Sequence, residues 1–362
     1  MKVVVKIGSS SLTRADGGID HEAISRLCRD VASLTSLGHQ PIVVSSGAVA
    51  AGVRAVGLSE RPTDVETLQA VSAVGQSRLM GVYDDELASH GLLGAQVLLD
   101  PLDFVHRRQY LHARQTLERL LSLKCVPVVN ENDAIASSEL RYGDNDRIAA
   151  LLAHSVSADL LVLLTDLDGL YTADPRSSGD AKLVDRVSAD DPLLSIQAST
   201  SKSDVGSGGM ASKLVAARIA SWSGVRTVIA NAEHEGVVAA IVAGETTGTT
   251  FEAHQRTLTA RKLWIAFAAE TAGCITVDDG AQAALTTKNT SLLPAGVTKV
   301  DGAFISGATV EIVDASGVVF ARGMTGLSAA ELRDVMGLQT SALPQGMHHE
   351  VVHRDDLVVL PR

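Results

Sequence analysis

The sequence predicts an α/β fold: an open, mainly parallel sheet sandwiched by helices, followed by a small β-barrel. Three observations predict it. From the start to about residue 250, β-branched runs alternate with helix-period segments, the pattern of a parallel sheet covered on both faces. Beyond that point, short strands separated by Gly and Asp take over. The 362 residues also exceed what one compact domain usually holds, which favours two.

In chain order, the first strand falls at residues 3–7. The next segment repeats Ile24, Leu27, Cys28, Val31 and Leu34 at helical spacing, with Asp20 as N-cap and Gly38 just past the end. Cys28 is therefore read as core. Further strands are expected at residues 41–45, 94–99, 126–129, 159–164 and 226–230. Polar residues from Gly248 to Arg261 read as a linker. Short strands at 273–277, 297–300, 309–313, 318–322 and 357–360 then build the barrel. The divisions expected are 1–250, a linker at 251–270, a second domain at 271–349 and a closing strand within 350–362.

Composition excludes several classes. With 46% hydrophobic and 20% charged residues, neither a disordered chain nor a coiled coil fits. Forty-two acidic against thirty-one basic residues give a net charge of −11, a field that repels nucleic-acid backbones and anionic lipid. Cys28, Cys125 and Cys274 are widely spaced, without a CxxC or metal-ligand pattern, so no disulfide framework or zinc site is expected. Only three consecutive apolar residues precede Lys6, too few for a signal peptide, and no run reaches membrane-span length. A cytoplasmic location is expected.

Polar sequences follow most of the strands: Gly8-Ser9-Ser10-Ser11, Ser46-Gly47-Ala48, Asn130-Glu131-Asn132-Asp133, Thr165-Asp166-Leu167-Asp168-Gly169 and Asn231-Ala232-Glu233. In an open α/β sheet ligands bind beyond the carboxyl ends of the strands, so these five segments should converge on one crevice. Lys6 is either a solvated edge-strand lysine or a phosphate ligand. The run Gly206-Ser207-Gly208-Gly209-Met210-Ala211-Ser212-Lys213 enters a helix and suits a phosphate, the alternative being a flexible linker. The clusters at Asn130–Asp133 and Gly143-Asp144-Asn145-Asp146 offer carboxylates for an ammonium or a metal and amides for a carboxylate. Taken singly, Asp133 could be a turn residue and Asp144 a helix cap. The Walker A, GxGxxG and GxSxG patterns are absent, which argues against those nucleotide folds and a serine hydrolase. His39, His90 and His154 read as structural.

Together Lys6-Ile7-Gly8-Ser9-Ser10, the run Ser45 to Gly52, Asn130 to Asp133, Gly143 to Asp146, Thr165 to Tyr171 and Gly208 to Lys213 resemble the glutamate 5-kinase group of the amino acid kinase family. The tail, with Ser291-Leu292-Leu293-Pro294-Ala295-Gly296 and His353-Arg354-Asp355-Asp356, looks like a PUA domain. The resemblance implies ATP-dependent phosphorylation of the glutamate side-chain carboxylate, with Mg2+ as cofactor, proline as feedback inhibitor and a homo-oligomeric assembly. It implies that Ser46, Asp133 and Asn145 bind glutamate. Lys6, Thr165, Asp166, Ser207, Gly208, Gly209, Met210, Ala211, Ser212 and Lys213 would bind ATP. Lys6, Lys213 and Asp146 would be catalytic, Asp146 orienting the two lysines, and no residue is expected as a metal ligand. The alternatives are another carboxylate or carbamate kinase of the family and an RNA-binding regulator. Residues 271–349 carry four basic against seven acidic residues, with Gly307-Ala308 and Leu327 departing from the PUA pattern, and these speak against RNA.

Overall fold

The structure, a computed structural model, describes residues 1–14, 17–104, 106–135, 145–194, 209–255, 257–269, 271–288, 290–344 and 348–360. The chain divides into two compact units, the first running to Thr257 and the second taking up from Leu258.

The first unit contains β1 (Lys2–Ile7), α1 (Ser9–Leu12), α2 (His21–Ser36), β2 (Gln40–Val44), α3 (Ala48–Ala55), α4 (Val65–Ser89), β3 (Leu93–Leu99) and α5 (Arg107–Ser122). It continues with β4 (Cys125–Glu131), α6 (Asn145–Ser155), β5 (Leu160–Thr165), β6 (Arg186–Val187), α7 (Gly209–Trp222), β7 (Arg226–Asn231), α8 (Val237–Ala243) and β8 (Thr249–Phe251). The strands form one sheet in the order β3-β4-β2-β1-β5-β7-β8-β6. β1 is central and pairs in parallel with β2 and β5; β8 runs antiparallel to β7. A strand buried on both faces must be apolar throughout, as β1 and β5 nearly are.

Because side chains alternate along a strand, Val3, Val5 and Ile7 share one face while Val4 and Lys6 take the other. The first set joins Ile24, Leu27, Val31 and Leu34 of α2, Leu79 and Tyr83 of α4, and Val238 and Ile241 of α8 in one core. Each such side chain contributes about 1.5–3 kcal/mol on full burial. The other face is covered by α6, which packs on β1, β2, β4 and β5 and against α7. Lys6 is thereby aimed at the starts of two helices.

Asp20 caps α2 by accepting from the Ala23 N–H, and Gly38 follows the helix at φ +80°. Cys28 is buried, and its thiol is pushed up to about 12 by burial and by Glu86. The sequence pattern had not marked α4 or α5. On α4 apolar residues are spread around the helix, which packs closely on α3: a Cβ on Gly75 would lie 1.8 Å from the Ala48 carbonyl oxygen, and one on Gly52 would lie 1.9 Å from that of Val71. The first unit also runs past residue 250, since β8 pairs with β7 and His254 stacks on Trp222.

The second unit holds α9 (Ala260–Leu263), β9 (Thr271–Val277), α10 (Asp279–Lys288), β10 (Val297–Gly302), β11 (Thr309–Val313), β12 (Val319–Thr325), α11 (Ala329–Val335) and β13 (Val352–Val359). Its sheet runs β10-β9-β11-β12-β13, with a separate bridge between Leu292 and Val352. Ile275, Val310, Ile312, Phe320, Leu332 and Leu357 form its core. Arg322 is buried; it pairs with Glu311 at 2.8 Å and donates to the Ala266 carbonyl at 3.0 Å, so one of the four basic residues counted above serves this interior.

Candidate active site at the carboxyl edge of the sheet

Parallel pairing brings the carboxyl ends of β1, β2, β4, β5 and β7 to one edge. There Lys6 Nζ lies 2.7 Å from Asp146 Oδ1, and Lys213 Nζ lies 3.4 Å from Asp146 Oδ2. All three residues are buried. Ser212 Oγ donates to Asp146 Oδ2 at 2.6 Å, and Lys213 also reaches the Gly209 carbonyl at 3.3 Å. Two ammonium groups around one carboxylate leave a net charge of +1 in a poorly solvated place, which suits an arriving anion. Burial opposes ionisation of Asp146. The charges of Lys6 and Lys213, with hydrogen bonds from Lys6 and Ser212, outweigh it and hold the carboxyl below its ordinary value.

Beside the lysines a cavity of about 330 Å³ is lined in part by Ser9, Ser10, Thr165, Asp166, Tyr171 and Lys213, and Gly209 and Met210 also reach it. Thr165 Oγ1 donates to Asp166 Oδ1 at 3.0 Å, and Arg176 pairs with the other Asp166 oxygen. Burial raises the Asp166 pKa, but its own backbone N–H, Thr165 and Arg176 bring it below the usual carboxylate value.

A second group of polar side chains gathers around the ends of β2 and β4. Asn145 Nδ2 donates to Ser46 Oγ at 3.1 Å and to Asn130 Oδ1 at 3.0 Å, while Asn145 Oδ1 accepts from the Glu131 N–H at 3.1 Å. Asn130 Nδ2 donates to Gln76 Oε1 at 2.7 Å. One turn earlier on α4, Ser72 Oγ donates to Asp133 Oδ2 at 3.2 Å. Burial pushes the Asp133 carboxyl above its ordinary value, with Ser72 and the charge of Arg61 pulling the other way. A buried carboxylate of this kind calls for a cationic partner.

Of the residues singled out from the sequence, Lys6, Asp146 and Lys213 meet directly, and Ser46 meets Asn145. Asp133 is tied to the same helix as the amide cluster through Ser72. Thr165, Asp166, Gly209 and Met210 line the cavity. Ser212 is turned to Asp146, and Ala211 is exposed. Asp144, Ser207 and Gly208 lie outside the described residues. Sequence reasoning passed over Ser72, Gln76 and Arg176. The first two stand on a helix without a single apolar stripe, and the third follows a turn as any surface arginine might. The sequence signal for Gln76 would have been its position next to Gly75, in a helix forced into close approach.

A family model described as the amino acid kinase family matches residues 1–231, and one described as the PUA domain matches residues 273–346. The chain is 43% identical to the glutamate 5-kinase of Pelobacter propionicus, covering 99% of this chain and 97% of that protein. It is 45% identical to the glutamate 5-kinase of Thermobifida fusca, covering 99% and 93%. The fold is similar to the crystal structure of the T. acidophilum isopentenyl phosphate kinase product complex, with a TM-score of 0.50 at 18% identity, covering 70% of this chain and 100% of that one.

Proposed function

The chain belongs to the amino acid kinase family, and we propose that it uses ATP to phosphorylate the side-chain carboxylate of L-glutamate, giving L-glutamyl 5-phosphate, the first step of proline biosynthesis. The observation that carries this reading is the division of the site. A buried pair of lysines beside a cavity adjoins a cluster of one carboxylate and several amides.

The substrate carboxylate is ionised at neutral pH, so its oxygen attacks the γ-phosphorus without a general base. The difficulty is bringing that anion to a polyphosphate. Lys6 and Lys213 offset the repulsion and stabilise the charge on the transferring group, and Asp146 keeps both lysines aimed. Asp133 holds the α-ammonium; Ser46 and Asn145 hold the carboxylate end. Gly209, Met210, Thr165 and Asp166 line the side where ATP binds. Ser207, Gly208, Ala211 and Ser212 belong to the same proposed ATP segment.

Among the described residues no group of three His, Cys, Asp or Glu could hold a metal, and Asp146 is already engaged by two lysines. These residues fit a Mg2+ that would arrive with ATP better than one held in a protein cage. When bound, that ion would neutralise phosphate charge. Proline as feedback inhibitor, a homo-oligomeric assembly and a cytoplasmic location accompany the proposal. No helix among the described residues is long and apolar enough to cross a membrane.

The test offers glutamate, N-acetylglutamate, aspartate and carbamate separately with ATP and traps acyl phosphate with hydroxylamine. Glutamate should give hydroxamate at least a hundredfold faster than N-acetylglutamate, because acetylation removes the ammonium that Asp133 requires. Equal rates would overturn the assignment.

A further inference from the structure

α3 and α4 pack antiparallel, with Gly75 against the Ala48 carbonyl and Gly52 against that of Val71. Moving back along α4 from Gln76 therefore leads from the first turn of α3 toward its last, and then to the loop that joins the two helices. Gln76 bonds Asn130 in the amide cluster that includes Ser46, and Ser72 bonds Asp133. These two residues of α4 stand four positions apart on one face, about 6 Å along the axis. That spacing matches the reach of glutamate from its ammonium to its side-chain carboxylate.

One charge of the acceptor is still unassigned. With the side-chain carboxylate at Ser46 and Asn145 and the ammonium at Asp133, the α-carboxylate, borne on the same carbon as the ammonium, must come to rest close to Asp133. An anion beside a buried carboxylate needs a cation. Lys6 and Lys213 are committed to Asp146. Arg61 stands in the α3–α4 loop, shortly before the Asp64 N-cap of α4, at the end of the helix pair to which the row of polar groups leads. Its side chain is exposed, and no hydrogen bond or ion pair holds it among the described residues. Its charge is the one that acts on Asp133 there. Together with Val49, Ala50 and Val53 of α3 it lines a cavity of about 450 Å³. Arg54 and Glu60 share that wall, and Arg54 is already engaged.

We propose that Arg61 is a specificity-determining residue: its guanidinium takes the α-carboxylate of the acceptor amino acid, so that the site selects a molecule with an ammonium and two carboxylates over one that lacks the α-carboxylate. A planar guanidinium suits that group, because it can offer two parallel N–H donors. The proposal rests on the reading of the acceptor as glutamate with its ammonium on Asp133.

The test compares L-glutamate with L-isoglutamine, which keeps the ammonium and the side-chain carboxylate and carries a neutral amide in place of the α-carboxylate. Arg61→Gln should raise the KM for glutamate about tenfold, the size of one lost charged hydrogen bond, and leave kcat within about twofold. For isoglutamine the KM, or the inhibition constant against glutamate where turnover is too slow to read, should stay within about twofold of wild type. Arg61→Lys keeps the charge and should stay within about threefold of wild type on glutamate. If Arg61 only tuned Asp133 or the fold, both compounds would change together, because both present the same ammonium. Equal change for the two, or no change in either, in a variant of normal melting temperature, would overturn the assignment. A wild type that makes no hydroxamate from glutamate would overturn the functional reading and this one with it; a wild type that does, with the two compounds equally affected by Arg61→Gln, would overturn this one alone.

Discussion

Replacing Asp146 by asparagine removes a charge and almost no volume, and it isolates what the carboxylate does for the two lysines. At 2.7 and 3.4 Å, the two ion pairs are worth about 6 and about 5 kcal/mol of attraction at an effective dielectric near 20, before desolvation is subtracted. Breaking a buried pair typically destabilises by about 3–5 kcal/mol, because the partner charge is left uncompensated. In the free enzyme the two ammonium groups would then face each other and turn away. For catalysis the consequence is the loss of at least one correctly placed cation at the transferring phosphoryl group, which lowers kcat about 10²–10³-fold. The KM for glutamate should change less than about threefold, since Asp133, Ser46 and Asn145 lie outside the trio. Steady-state hydroxamate kinetics measure both. A kcat within tenfold of wild type, in a variant that melts cooperatively, would refute the idea that Asp146 organises the lysines. Thermal melts against pH give an independent check. The folded-state pKa of Asp146 is lowered, so its stabilisation is present above the ordinary carboxylate value and is lost as pH falls through the folded one. The wild-type and Asp146→Asn melting temperatures should therefore converge in acid.

Lys213→Ala should lower kcat about a hundredfold or more while barely moving the KM for glutamate; near-normal turnover would make the loop structural. Asp133 is held above its ordinary pKa by burial, so as pH falls through that value it protonates and stops holding an ammonium. The KM for glutamate should rise on the acid side, and Asp133→Asn should raise it at neutral pH and abolish the acid limb. Gly75→Ala forces a methyl group against the Ala48 carbonyl; it should destabilise by about 1–3 kcal/mol or more in denaturant melts, and an unchanged midpoint would contradict the close approach of α3 and α4. A chain ending after Thr257 should still make acyl phosphate, whereas one ending near Gly248 loses β8, its pairing with β7 and the stacking of His254 on Trp222. Hydroxamate assays of both, with circular dichroism to check folding, decide it.

The parallel sheet was legible because buried strands such as residues 160–164 can hardly be anything else, and the crevice because its polar segments follow them. Lys6 could not be decided alone: a strand lysine is solvated or paired according to its neighbours, and Asp146 stands 140 positions away. Its pairing partner became visible only when β1 was placed centrally with α6 covering it. Ser72 and Gln76 were illegible for a different reason. Their helix carries apolar residues around most of its circumference, so no polar face stood out, and their partners Asp133 and Asn130 are more than fifty residues distant. The short strand β8 was hidden in a stretch whose Gly and Thr residues resemble a linker, and only its pairing with β7 makes it part of the sheet.

The central claim is that the glutamate side-chain carboxylate itself attacks ATP. Glutamate labelled with 18O in both side-chain carboxylate oxygens tests it most directly. Attack joins one labelled oxygen to the γ-phosphorus as the bond to ADP breaks. When the product cyclises, the amine displaces phosphate from the acyl carbon and the bridging oxygen leaves with it. 31P NMR should then find one 18O in each inorganic phosphate released. Phosphate without label, formed at the rate of ATP loss, would mean that water and not the carboxylate is the nucleophile, and would contradict the account.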